Sequence, residues 1–146
     1  MAEAQRTVMS KLNPQDFAIG DALPPLTLAP INRTTLALFC GASGDHNPIH
    51  IDLDMARRAG MPDVFAHGML SMAYLARLLT MWVDQRQLRQ FNARFAGITH
   101  LGHQITCVGK IVDRLEMDGE QRIKVEVRTV NQYGEVKILG DAQIAL

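Results

Sequence analysis

The chain has 146 residues, with 15 basic and 15 acidic side chains and a formal net charge of zero. This length suits one domain, and a hydrophobic content of 47% excludes a disordered chain. Because no basic tract interrupts the charge balance, nucleic acid is excluded as a general partner. Any anionic ligand must be held by a local patch.

The cysteines and the most apolar segment indicate where the chain resides. Cys40 and Cys107 lie in apolar stretches without metal-type spacing, which predicts two buried free thiols in a reducing compartment. The start, MAEAQRTVMSKLN, has no apolar run typical of a signal peptide. Segment 68–83 is too short to span a bilayer comfortably and contains Arg77, so we expect a buried helix and no membrane partner. These features predict a cytoplasmic protein.

Turn and capping residues divide the first half of the chain into short elements. Prolines flank residues 26–29, which predicts an edge strand. Asn32 is suited to cap a helix that ends near residues 41–44. Pro48 excludes a helix through the polar segment 44–50, and a short helix is expected over 54–59. A long apolar helix is predicted from Gly68 to about Val83.

The second half of the chain changes to a period of two. Residues 91–95 and 123–127 alternate apolar and polar side chains, which predicts half-buried strands. Asp118-Gly119 predicts a hairpin, and Tyr133-Gly134 marks another turn. About four antiparallel strands should therefore follow the long helix and wrap around it, giving an α+β fold. One sheet around one helix leaves apolar strand surface uncovered, which predicts a dimer formed through sheet edges or faces.

Asp45 and His50 are the first candidates for chemistry, because they stand at the two ends of a loop stiffened by Pro48. Such a loop can aim both side chains at one small volume, where a carboxylate and an imidazole sharing one water supply a base and an acid. The alternative is structural: Asp45 caps a turn and His50 is a satisfied core histidine. A metal site on His46 and His50 is not expected, since Pro48 removes the helix that would place both on one face.

Gly68 is a further candidate because it follows His67 and opens the long helix. The first turn of a helix has unpaired N–H groups and a partial positive charge, and glycine lets a ligand carbonyl approach closely. This is oxyanion-hole geometry if the carbonyl belongs to a substrate that becomes enolate-like. The alternative is that Gly68 only lets the helix begin against the sheet.

Two sets of side chains recur along the long helix. The polar set predicts an exposed or interfacial face of the helix. The alternative is that Ser71 or Tyr74 lines a ligand tunnel. The polar set comprises Ser71, Tyr74, Arg77, Thr80 and Asp84. The second set is Met69, Met72 and Met81, which we interpret as core, although methionine also suits a pliable acyl pocket.

Two segments of the sequence resemble a known family. FCGASGDHNPIHIDLDMA, residues 39–56, closely resembles the signature of the R-specific enoyl-CoA hydratases, the MaoC-like dehydratases. AHGML, residues 66–70, is similar to the start of the central helix in the same family. FAIGDALP and the strands from Phe91 onwards also fit, so the resemblance covers nearly the whole chain.

The resemblance implies a single MaoC-like hot dog domain over residues 1–146, with a curved antiparallel sheet around the central helix and pairing into dimers. It implies reversible syn hydration of a trans-2-enoyl thioester, of CoA or acyl-carrier protein, to the (R)-3-hydroxyacyl thioester. Asp45 and His50 would hold the catalytic water, Asn47 would support them, and the Gly68 N–H would polarise the thioester carbonyl. The resemblance implies neither a cofactor nor a metal.

Departures from the family pattern leave the substrate class open. Ala73 and Ala76 stand where some members have a serine, so any serine role falls to Ser71 or is absent, and Gly102-His103 replaces a common Gly-Asp turn.

Some similar dehydratases pair with a non-catalytic sister subunit, so a heterodimer is the alternative to a homodimer. A non-catalytic acyl-thioester-binding subunit and a hot dog thioesterase are the alternatives for function. The presence of both Asp45 and His50 disfavours a non-catalytic binding subunit. A thioesterase does not call for an Asp-Asn-Pro-His arrangement.

Overall fold

The structure is a computed structural model that describes residues 11–146, so the prediction of no signal peptide at the start of the chain lies largely outside it. The helices within these residues are α1 (Arg33–Ser43), α2 (Leu53–Arg58) and α3 (Gly68–Trp82). The strands are β1 (Leu26–Thr27), β2 (Leu88–Phe95), β3 (Thr106–Met117), β4 (Glu120–Val130) and β5 (Val136–Ala145). Single-turn 3-10 helices lie at Pro14–Asp16, Pro48–His50 and Gln85–Gln87. The predicted elements are confirmed in order and in kind.

Local hydrogen bonds explain where the helices begin and end. The Asn32 side chain accepts the Thr35 N–H at 2.8 Å, as predicted for a cap of α1. Gly44 ends α1 with a φ of 74°, in the left-handed region that favours glycine. At the start of α3, His67 occupies the capping position but makes no capping hydrogen bond with its side chain. The N–H groups of the first turn of α3 are therefore left to another partner.

The five strands form one antiparallel sheet in the order β1-β3-β4-β5-β2. The β3–β4 hairpin turns at Asp118 and Gly119, whose φ angles of 56° and 73° belong to a turn that matches the twist of the strands. β1 covers one edge, with Leu26 opposite Cys107. β2 forms the other edge, and no strand within the described residues pairs with its outer side. The predicted sheet is thus confirmed, including the short strand at its edge.

Two hydrophobic clusters hold the sheet, α3 and the first half of the chain together. The larger one packs α3 into the curl of the sheet, which is the hot dog arrangement; it includes Leu75, Leu78, Leu79, Trp82, Ile111, Ile123, Val125 and Ile144. The smaller one packs α1 and α2 against the start of α3, through Ile31, Leu36, Ala56, Val64, Ala66 and Leu70. Because of this smaller cluster, the loop between α1 and α2 lies at the N-terminus of α3.

The two sets of side chains on α3 do not form the predicted faces. A step of three residues falls about 60° short of a full helical turn, so the polar set winds around the helix. Ser71 is 2% exposed and faces Thr99, whereas Arg77 is exposed. The prediction of one exposed or interfacial polar face is therefore wrong, and Ser71 instead lines a cavity. Met69 is 53% exposed, so the interpretation of these methionines as core is wrong for this residue.

Both cysteines of the chain lie within the described residues, and both are buried and free, as predicted. Burial raises the pKa of the Cys107 thiol to about 12. No helix in residues 11–146 is both long enough and apolar enough to cross a membrane.

Candidate active site

The loop after α1 carries Asp45 and His50 on a backbone held by its own side chains. Asp45 Oδ1 accepts the Asn47 N–H at 3.2 Å. Asn47 Oδ1 in turn accepts the N–H two residues further on, also at 3.2 Å, and so caps the 3-10 turn that starts at Pro48 and ends at His50. Proline suits the first position of such a turn because it has no N–H to satisfy. The predicted stiff loop is therefore present, and the Asn47 side chain serves its geometry.

A backbone carbonyl sets the tautomer of His50, which is 7% exposed. Its Nδ1 lies 2.8 Å from the carbonyl oxygen of Phe65. Because a carbonyl oxygen only accepts hydrogen bonds, Nδ1 carries the proton and Nε2 presents a lone pair. The Phe65 ring also packs edge-on against the imidazole, with centroids 4.9 Å apart. His50 thus has one satisfied nitrogen, as in the structural alternative, and one nitrogen able to exchange a proton.

His67 completes a cluster that the sequence patterns did not assemble. Its ring stacks on that of His50, with centroids 3.9 Å apart and an interplanar angle of 29°. A carboxylate oxygen of Asp45 and one ring nitrogen from each histidine all lie within 4.8 Å of one another. Burial and, next, the charge on His50 lower the pKa of His67. The signal for His67 in the sequence is the A-H-G motif, of which only the glycine is predicted to take part in the site.

The cluster of Asp45, His50 and His67 is the only group of three potential metal ligands in the part of the chain that the structure describes, and His46 is not in it. One nitrogen of each clustered ring already faces a backbone carbonyl. The two rings are stacked at an interplanar angle of 29°, whereas histidines that share a tetrahedral zinc ion point their ring nitrogens at it from different directions. The arrangement favours hydrogen bonding over joint metal binding, and a metal-free site stays a prediction.

Gly68, the first residue of α3, lines a cavity of about 290 Å³ in front of the helix N-terminus. Ser71 and Thr99 also line this cavity, with their hydroxyl oxygens 3.4 Å apart. The ring of Phe95 lies over Gly68, and a Cβ added to this glycine would stand 3.0 Å from two ring atoms. The glycine therefore serves close packing, as the structural alternative proposed, and also leaves the helix N-terminus open to the cavity.

A second cavity, of about 450 Å³, lies along another side of α3. Asp45 and Ser43 supply its polar lining. The rest of the lining is apolar and consists of Phe39, Met69, Met72, Ala73, Ala76 and Phe91. Two of the three helix methionines therefore line a cavity. Ser71 lines the other cavity, so the structure does not bring a serine of α3 to Asp45.

These positions define what the site can do chemically. The exposed carboxylate of Asp45 and the free Nε2 of His50 can hold one water and exchange protons with it. The open N-terminus of α3, one residue after His67, can stabilise negative charge on a carbonyl oxygen. A carboxylate, an imidazole and the open N-terminus of a helix thus lie near one another in the fold, although Asp45 and Gly68 line two different cavities.

Known proteins share this fold, and curated proteins are similar to the chain in sequence. R-hydratase PhaJ1 from Pseudomonas aeruginosa, in its unliganded form, superposes with a TM-score of 0.76 at 26% identity, covering 89% of this chain and 82% of that one. The chain is 31% identical over 139 residues to fatty acid synthase subunit beta of Saccharomyces cerevisiae, which is 90% of this chain but 6% of that subunit. It is 38% identical over 74 residues to 3-hydroxyacyl-thioester dehydratase X of Mycobacterium tuberculosis, which is 50% of this chain and 25% of that protein. The chain therefore spans a small part of these two relatives.

The family comparison covers both segments that build the site. The MaoC-like domain matches residues 17–133, which include the loop of Asp45 and His50 and the start of α3 at Gly68. Because this match extends over most of the chain and agrees with the fold of the R-hydratase, the chain belongs to the MaoC-like dehydratase family.

Proposed function

We propose that the chain is a hydro-lyase that reversibly hydrates trans-2-enoyl thioesters of CoA or acyl-carrier protein to (R)-3-hydroxyacyl thioesters. The observation that carries this proposal is the approach of the Asp45 carboxylate and a His50 ring nitrogen to within 4.8 Å, beside the N-terminus of α3. The names of two relatives, an R-hydratase and a 3-hydroxyacyl-thioester dehydratase, support the same reaction.

The mechanism needs one proton to be removed from the water and one proton to be delivered to the substrate. Asp45 and His50 hold a water, whose oxygen adds to the β carbon while the pair removes its proton. The π electrons move onto the thioester oxygen, and the Gly68 N–H stabilises the resulting enolate. The pair then delivers a proton to the α carbon on the same face of the substrate. Protons balance over the cycle, so the reaction requires no cofactor.

The cavity that Asp45 shares with the apolar residues of α3 is the proposed seat of the acyl chain. Met72, Ala73 and Ala76 offer side chains that an alkyl chain can contact along about one turn of the helix. CoA and acyl-carrier protein present the same phosphopantetheine thioester, so both remain substrates in this proposal. Because the alanine side chains are short, the side chains of Phe39 and Phe91 determine the width of the groove.

A homodimer formed through β2 is part of the proposal. The outer edge of β2 has no partner strand in residues 11–146, and an unpaired strand edge is a template for a second chain. A second copy can pair with the same edge around a two-fold axis. Multi-angle light scattering of the purified chain should give the mass of two copies. A fully active monomer would contradict this arrangement, and co-purification with a sister chain would favour the heterodimer.

The acid–base pair favours hydration over the two alternative functions. A subunit that only binds acyl thioesters needs no paired carboxylate and imidazole around a water. A thioesterase would break the thioester bond and release a free thiol, whereas hydration conserves it. The two reactions are therefore separable in one assay.

The test uses trans-2-enoyl-CoA esters of graded chain length. Hydration removes the conjugated double bond, so absorbance of the enoyl thioester falls, and a thiol reagent in a parallel sample detects hydrolysis. We expect loss of the enoyl signal without thiol release, and chromatography should identify the product as the (R) isomer. Thiol release at the rate of substrate loss would favour the thioesterase. Binding of acyl-CoA without any turnover would favour the binding subunit.

A further inference from the structure

We propose that His67 is a positioning residue for the acid–base pair, an inference that rests on the proposed function. Its Nε2–H holds the backbone of Asp45, and its ring supports the ring of His50. A single side chain would thus fix both proton-exchanging groups relative to each other and to the helix that begins at Gly68.

The two contacts of His67 reach both members of the pair. Its Nε2 lies 3.2 Å from the Asp45 carbonyl oxygen, a contact between residues 22 positions apart. The Asp45 N–H, in contrast, bonds to a near neighbour in the chain, Ser43 Oγ at the end of α1, at 3.1 Å. The ring stacks on His50 with centroids 3.9 Å apart. The contacts of His67 therefore connect the loop that carries the pair to the start of α3.

The second ring nitrogen of His67, Nδ1, lacks a hydrogen-bond partner in residues 11–146, which indicates that the imidazole is not explained by packing alone. Because Nε2 must donate to the Asp45 carbonyl, Nδ1 carries no proton in the neutral ring. Nδ1 is buried and has no hydrogen-bond partner among the described residues. A buried unpaired nitrogen is unfavourable, so packing alone would be better served by phenylalanine. Imidazole, however, supplies a flat ring for His50 and a donor for Asp45 in one side chain.

The surroundings of His67 favour its neutral form. Its ring faces His50 on one side and Phe39 edge-on, with the latter centroids 4.9 Å apart. The charged groups close to it are His50 and Asp45. Burial lowers the pKa of His67, repulsion from a cation on the stacked His50 lowers it further, and the carbonyl and carboxylate of Asp45 oppose this shift without reversing it. The exchangeable protons are thereby left to the catalytic pair.

Two substitutions separate the two contacts. His67→Phe keeps a ring for stacking and removes the donor, whereas His67→Gln keeps a donor and removes the stack. We expect each variant to lower kcat on an enoyl-CoA ester by about 10- to 100-fold, the scale of a small misplacement of reacting groups, with KM nearly unchanged. His46→Gln is the matched control, because His46 lies exposed in the same loop outside the cluster. Folded His67 variants that keep the kcat of the parent chain would overturn the proposal, and so would losses confined to KM.

Nitrogen-15 NMR of the histidine rings tests the same inference without turnover. In the parent chain near neutral pH, we expect His67 as the Nε2–H tautomer and His50 as the Nδ1–H tautomer. A His67 ring that is cationic or protonated on Nδ1 would overturn the proposal, even if both variants fail to fold. If no enoyl ester is hydrated, the proposed function fails. The positioning inference then stands only if the expected tautomers are found and the His50 N–H signal broadens in the folded variants.

Discussion

Replacing Asp45 by asparagine removes a proton-exchanging group with little change in shape. The Asp45 side chain is exposed, and its Oδ1 accepts the Asn47 N–H at 3.2 Å, a bond that an amide oxygen can also accept. Exposed substitutions that keep such contacts change the free energy of unfolding by about 0.5 kcal/mol or less. Asp45→Asn should therefore fold like the parent chain and report on chemistry alone.

The expected loss follows from the role of the carboxylate. A positioned proton-transfer group contributes about 100- to 10,000-fold to a rate. We therefore expect Asp45→Asn to lower kcat by at least about 100-fold, which corresponds to about 2.7 kcal/mol in the activation free energy. Binding of the enoyl thioester should change little, because the apolar groove and the N-terminus of α3 remain.

The matching change at His50 must respect its burial. His50→Ala would leave the Phe65 carbonyl without its donor and open space beside His67, so we expect it to lower the free energy of unfolding by about 1–3 kcal/mol. His50→Gln retains a donor and is the better partner for a double-variant cycle. In the proposed mechanism both groups act on one water, so the Asp45→Asn/His50→Gln chain should be scarcely slower than the slower single variant.

The assay follows loss of enoyl thioester absorbance, with circular dichroism and urea unfolding to confirm that each variant is folded. The reasoning is refuted if folded Asp45→Asn turns over a substrate of the parent chain at nearly the parent rate. Losses that simply multiply in the double variant would show that Asp45 and His50 act independently, and the shared water would then be wrong.

Gly68→Val should lower turnover and melting temperature, since its side chain meets the Phe95 ring where even a Cβ would stand 3.0 Å away. Adding Phe95→Ala should restore the melting temperature but not turnover, because valine still covers the helix N-terminus; recovered turnover would contradict the oxyanion role. With its pKa near 12, the Cys107 thiol should resist iodoacetamide until the chain is unfolded, as mass spectrometry can determine. The lowered pKa of His67 contributes stability that is complete above the unfolded value near 6.5 and is lost as pH falls below it. His67→Phe should reduce this acid loss in urea midpoints without abolishing it, because the pKa of His103 is lowered too; an unchanged slope would contradict the assignment.

Interactions between near neighbours made much of this protein predictable from its sequence. The stiff loop depends on Asp45, Asn47 and Pro48, whose contacts reach residues two positions away. The caps and turns that bound the helices and the β3–β4 hairpin are equally local. The alternation around Val125 also predicted which side chains face the core, because the period of a strand is two whatever packs on it. Resemblance to the family then indicated Asp45 and His50 as the proposed acid–base pair on these elements.

Contacts between distant segments were decided by the tertiary structure alone. The stack of His67 on His50 and the bond from the Phe65 carbonyl depend on how the smaller hydrophobic cluster packs the first half of the chain onto α3. Tertiary packing also decides which sides of α3 are covered: Ser71 is buried and Met69 is exposed, against our expectation from spacing. The helical period of a sequence predicts which side chains share a face of the helix, but it does not predict which part of the protein packs against that face. The packing of the first half of the chain onto the start of α3 determined which residues surround the proposed catalytic water.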